Sequence, residues 1–88
     1  MESKEKKLLL DVEQGKECIV YRVNGQGGFR HRVMEMGFVR GEKVKVIKSA
    51  PLQDPIEYKI MQSHVSLRRT EAAHIEVVDV DELSKVEK

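Results

Sequence analysis

The chain has 88 residues, with 16 Lys and Arg against 15 Asp and Glu and a formal net charge of +1. That length limits it to one small domain burying about 60% of its unfolded-chain surface, and the near-neutral balance argues against a protein whose main task is neutralising phosphates. A single cysteine, Cys18, excludes an intramolecular disulfide, and no stretch reaches the roughly 20 apolar residues of a membrane-spanning helix.

Residues 1–7 are Met-Glu-Ser-Lys-Glu-Lys-Lys, a charged stretch expected to be a disordered tail. The apolar run after it is only Leu8-Leu9-Leu10, too short for the h-region of a secretory leader. The expectation is therefore a soluble, cytoplasmic protein of a reducing compartment. Leu9 and Val12 pack a short turn of chain closed by Gly15. Cys18 to Val23 reads as a strand, with Ile19, Tyr21 and Val23 on one face and Cys18, Val20 and Arg22 on the other. Asn24-Gly25-Gln26-Gly27-Gly28 is a turn built from residues that tolerate positive φ.

Phe29 to Met36 is predicted helical, because Phe29, Val33 and Met36 make one apolar stripe at i, i+4 and i+7. His31 and Glu35 pair at i, i+4 on another face. Gly37 stands where such a helix needs a left-handed C-terminal residue, and Phe38 follows to pack back on the last turn. Arg40-Gly41 turns the chain into a strand from Glu42 to Ala50, where Val44 and Val46 alternate with Lys43 and Lys45. Ala50-Pro51-Leu52-Gln53-Asp54-Pro55 breaks the ladder, since neither Pro51 nor Pro55 has an N–H to donate. Ile56, Tyr58 and Ile60 restore alternation as a third strand, and Val65 to Arg68 is a short fourth. A helical turn from Thr70 to His74, capped by Thr70, leads to a fifth strand, Ile75 to Val78. The whole predicts a mostly β fold over residues 8–78: a small SH3-like barrel of about five strands with one short α-helix, closed so that no edge is exposed. Residues 79–88 are a second charged tail.

These pieces, in this order, resemble the FeoA family, the small cytosolic component of bacterial ferrous-iron uptake. The resemblance runs from Leu9-x-x-Val12-x-x-Gly15 through Arg32-Val33-x-x-Met36-Gly37 and Gly41 to Ala50-Pro51-Leu52-x-Asp54-Pro55. It continues with Ser66-Leu67-Arg68 and Glu71-Ala72-x-x-Ile75-x-Val77. Gln62-Ser63-His64 departs from it, standing where the family pattern has a glycine-containing segment. The resemblance implies an SH3-like barrel that is an accessory to the Feo permease, whose cytosolic part is a GTP-binding domain. It implies binding rather than catalysis, with no cofactor. Related domains also end metal-dependent repressors, which leaves a stand-alone regulatory module as the alternative, with a nucleic-acid-binding barrel as a further one.

No serine or cysteine has an evident base partner, no pair of carboxylates stands out, and no phosphate-cradling motif is present. Gly25-x-Gly27-Gly28 precedes a helix but lacks both the P-loop lysine and the dinucleotide-binding spacing, so it reads as turn chemistry. His31, His64, His74 and Cys18 do not stand at metal-ligand spacing, and no metal site is assigned. Two Tyr, two Phe and no Trp do not make a polyproline groove. A basic stripe of Lys43, Lys45, Lys59 and Arg68 is the nucleic-acid reading, but Lys43 and Lys45 are read as the wet face of a half-buried strand, and no nucleic-acid partner is expected. The partner surface is placed on His31, Met34, Glu35 and Phe38 at the helix end, with Leu52, Gln53 and Asp54 in the proline loop. Structural roles go to Arg32 as an anchor of the helix, Met36 in packing, Gly37 and Gly41 in chain reversals, and Pro51 and Pro55 in the loop.

Overall fold

The computed structural model of the chain describes residues 7–48 and 54–80. Runs of alternating Val and Ile favour a pleated, half-buried surface, and they generate most of the strands. These are β1 (Lys7–Leu8), β2 (Glu17–Val23), β3 (Lys43–Lys48), β4 (Ile56–Ile60), β5 (Ser63–Leu67) and β6 (Ile75–Asp79). A 3₁₀ turn spans Leu9–Asp11, helix α1 spans Gly27–Glu35, and a one-turn helix α2 spans Arg69–Ala72. All pairings are antiparallel, and the strands form one sheet in the order β1-β6-β2-β3-β4-β5. The predicted count is thus exceeded by β1, which exists only because β6 offers Val77 and Glu76 as partners for Lys7 and Leu8.

The core comes mostly from the strands, with Val33 of α1 and Leu9 of the 3₁₀ turn joining it. It gathers Leu9, Val12, Cys18, Val20, Val33, Phe38, Val44, Val46, Ile56, Tyr58, Ile60, Leu67, Ile75 and Val77. Each large apolar side chain buried there contributes roughly 1.5–3 kcal/mol. Phe38 and Tyr58 meet edge to face, with centroids 6.3 Å apart. Val23 joins Cys18 and Val20 on this inner face, not Ile19 as the alternation predicts. The cause is a β-bulge: Val20 pairs with Val77 and Arg22 with Glu76, leaving Tyr21 extra and reversing the parity beyond it. Ile19 and its partner Val78 are buried outside this core cluster.

Strand β5 starts two residues before its predicted beginning at Val65, because β4 and β5 are joined by a two-residue turn, Met61-Gln62. Both turn residues have positive φ, +52° and +66°, the type I′ geometry whose twist matches a hairpin. Helix α2 likewise begins before Thr70. Arg68 is its N-cap, and the Arg68 amide donates to Glu71 Oε1 at 2.8 Å, so Glu71 rather than Thr70 tends this end.

Full closure is the expectation that fails. Among the described residues, β1 and β5 each pair on one side only, so the sheet curls without closing and β5 remains an edge. Pro51, Leu52 and Gln53 lie outside the described residues, as do most of the two charged tails. Pro55 is exposed at the start of β4, after a cis Asp54–Pro55 peptide.

Candidate functional site

The C-terminal end of α1 is fixed by backbone chemistry. The Phe38 amide donates to the Val33 carbonyl and the Gly37 amide to the Met34 carbonyl, both at 3.1 Å. Gly37 takes φ +117°. This is the Schellman arrangement, and its accompanying apolar contact is made by Val33 and Phe38, both fully buried. A β-carbon at Gly37 would also lie 2.9 Å from Met61 Sδ, so the absence of a side chain lets the β4–β5 turn close over the helix end. Gly41, φ +96°, donates its amide to the Val20 carbonyl at 2.9 Å and completes the reversal into β3.

Around Gly37 the surface carries two methionines. Met34 is 37% exposed and Met61 59% exposed, the two large hydrophobic residues exposed among those described. His31 and Glu35 flank Met34 on the same helix, with His31 Nε2 3.0 Å from Glu35 Oε2. The result is a small apolar rise bordered by a polar pair, the mixture found at the centre and rim of protein interfaces. Methionine suits such a surface because its flexible thioether adapts to the shape it meets.

Other predicted positions fall elsewhere. Phe38 is fully buried against Tyr58, so its side chain belongs to the core and not to the exposed rise. Asp54 is exposed but tied to α2: its Oδ1 accepts the Arg69 amide at 2.9 Å, placing a carboxylate at that helix's positive end. Leu52 and Gln53 are outside the described residues. Arg32 anchors α1 by pairing with Glu71, the same carboxylate that receives the Arg68 amide, so one acidic residue joins the two helices. Met36 is half-buried and packs against the core. Met61 is the residue that sequence reasoning missed. Its signal was a lone apolar residue after the alternation of β4, immediately before polar Gln62 and Ser63.

The histidines are dispersed. His31 pairs with Glu35, His64 Nδ1 lies 3.6 Å from Glu57 Oε2, and the His74 ring meets Phe29 edge to face at 5.5 Å. Burial, reinforced by the carboxylate of Asp79, pushes the Cys18 thiol up to about 12, so at neutral pH it keeps its proton and offers no thiolate. No group of three or more His, Cys, Asp or Glu converges among the described residues. A cleft between the 3₁₀ turn and β6 is lined by Lys7, Asp11, Glu13, Lys16 and Asp79, with Val12 and Val80 as its apolar wall. That lining suits water better than an apolar ligand. No described helix is long and apolar enough to cross a membrane.

Comparison with known proteins gives this surface a context. The chain is 49% identical over 69 residues to an Fe(2+) transport protein A/Fe(2+) transporter FeoB fusion protein of Porphyromonas gingivalis, covering 78% of the chain but 8% of that relative. It superposes on the solution structure of the FeoA protein of Chlorobium tepidum with a TM-score of 0.78 at 36% identity, covering 84% of this chain and 70% of that one. A manganese-dependent transcriptional repressor superposes with a TM-score of 0.80 at 17% identity, over 91% of this chain and 45% of the repressor, and shares the fold. The arrangement of strands and helices is the small SH3-like one of these neighbours. The model of the FeoA domain matches residues 7–79, nearly all that the structure describes, and the chain belongs to the FeoA family.

Proposed function

We propose that this chain is a non-enzymatic, cytoplasmic accessory of ferrous-iron uptake that docks on the GTP-binding cytosolic part of a Feo permease. The observation that carries the reading is the relative in which a segment 49% identical to this chain is fused to an Fe(2+) transporter. Fusion favours a shared task, and the chain spans only 8% of that relative. The docking surface is the methionine rise: Met34 and Met61 as apolar anchors, His31 and Glu35 as its polar border, with Leu52, Gln53 and Asp54 as a second contact. A modest apolar centre with a charged rim suits a transient, regulated interface.

The test is an NMR titration of the chain with the permease's GTP-binding domain, with and without a GTP analogue. Amide shifts at Met34, Glu35, Gly37 and Met61 are expected. Met34→Glu and Met61→Glu should each weaken binding by about tenfold, as expected for anchor residues, while leaving the spectrum of a folded protein. Shifts confined to other elements, or unchanged affinity in both variants, would remove this surface from the reading.

A further inference from the structure

The β5 edge carries chemistry that the docking reading does not use. Because Met61-Gln62 is a two-residue turn, Ile60 and Ser63 form the hydrogen-bonded pair that closes the hairpin, and the pairs alternate from there. Val65 and Leu67 therefore bond to β4, whereas His64 and Ser66 direct both their N–H and C=O groups away from it. No described residue receives or supplies those bonds. The edge is also unguarded in the usual ways: Ser63–Leu67 contains no Lys, no Pro and no register shift against β4.

The two faces beside this edge differ. On the inner face Val65 is half-buried against the core and Leu67 is fully buried, so an apolar side chain laid next to them would extend the core. The outer face is richer in lysines than in carboxylates. Lys45 and Lys59 stand directly opposite each other on β3 and β4, and His64 lies opposite Lys59 on β5. Like charges directly across a sheet are destabilising. Among the described residues Lys43, Lys45, Lys48 and Lys59 make no ion pair. The acidic groups on the face are Glu57, which lies opposite Lys48 and 3.6 Å from His64, and Glu17, directly opposite Lys45, whereas Lys59, next to the edge strand, has only Lys45 and His64 across from it.

We propose that β5 is a docking edge for an extended segment of a partner protein, added as a further strand, in which acidic residues alternate with apolar ones. The main-chain groups of His64 and Ser66 supply the pairing, Val65 takes the apolar side chain, and the lysine row selects the acidic ones. An added strand lies about 5 Å from β5 and about 10 Å from β4, within one screening length of Lys59 at moderate salt. A second copy of this chain is the poorer occupant, because pairing β5 with itself would bring two lysine rows together. The inference stands apart from the ferrous-iron reading, since it needs no permease.

The test uses the full chain and a capped hexapeptide alternating Glu and Val, with a Lys–Val hexapeptide as the control, followed by NMR and amide exchange. The Glu–Val peptide is expected to shift and protect the His64 and Ser66 amides, with cross-strand contacts to the peptide backbone. Binding should weaken as salt is raised and fall severalfold in Lys59→Glu. Ser66→Pro removes an outward N–H without touching the ladder to β4, and should abolish it. If that variant fails to fold, Lys59→Glu and the Lys–Val control decide the matter. Absence of protection at millimolar peptide, equal binding of the Lys–Val peptide, or shifts at α1 instead would overturn the proposal. Protection that grows with protein concentration alone would assign the edge to a second copy.

Discussion

Tyr58 and Cys18 show what a small core does to polar atoms. The Tyr58 ring is buried against Phe38, and its hydroxyl has no partner among the described residues. An unsatisfied buried hydroxyl costs about 1–3 kcal/mol. Tyr58→Phe should therefore leave the protein as stable or raise its stability by about 1 kcal/mol, measured by urea denaturation; a clear loss would reveal a hydroxyl partner. Burial raises the Cys18 pKa from 9.0 to about 12, and burial likewise raises that of Tyr58. A folded-state pKa above the unfolded one means that the native state holds its proton longer. Stability from Cys18 is thus complete below pH 9.0 and is lost as pH rises toward about 12. Denaturation midpoints should fall over that window, and more shallowly in Cys18→Ala. At this scale the sequence is readable where a requirement is local. Gly37 was legible because a left-handed helix end needs it, whereas the burial of Phe38 depends on Tyr58, a neighbour distant in the chain.

Elements repeat that division. The strand from Ile56 to Ile60 is found where its alternation puts it, since each residue's face follows from its position in the chain. The bulge at Tyr21 has no local marker: it is set by the register that β6 imposes on β2. Strand β1 has no pattern of its own and depends wholly on β6. Between elements, Glu71 is the principal tie, pairing with Arg32 of α1 and receiving the Arg68 amide at the start of α2. Glu71→Ala should cost about 1–2 kcal/mol, the sum of a lost cap and a partly exposed ion pair. Glu71→Gln should cost less, because its amide oxygen still accepts the Arg68 N–H. Thermal denaturation of the two variants separates the contributions.

For the molecule as a whole, the class of fold was legible and the sheet's open edge was not. Closure is a property of how far the sheet curls, which no single segment encodes. Of the proposed surface, Met34, His31 and Glu35 were legible from the helix they share, while Met61 required the hairpin to fold back over Gly37. The body from residue 7 to residue 80 contains every pairing described here. A chain trimmed to those residues should keep its melting temperature within a few degrees; a larger drop would give the trimmed ends a structural part. The entry and exit of that body lie side by side, since Lys7 pairs with Val77 and its ammonium sits 3.2 Å from Asp79. A tether attached at either end would leave from the edge of the sheet order opposite β5. Joined to a transporter through such a tether, the domain would face its target at a local concentration in the millimolar range. Even a weak contact made by the domain would then be favoured by proximity alone, with no added binding surface.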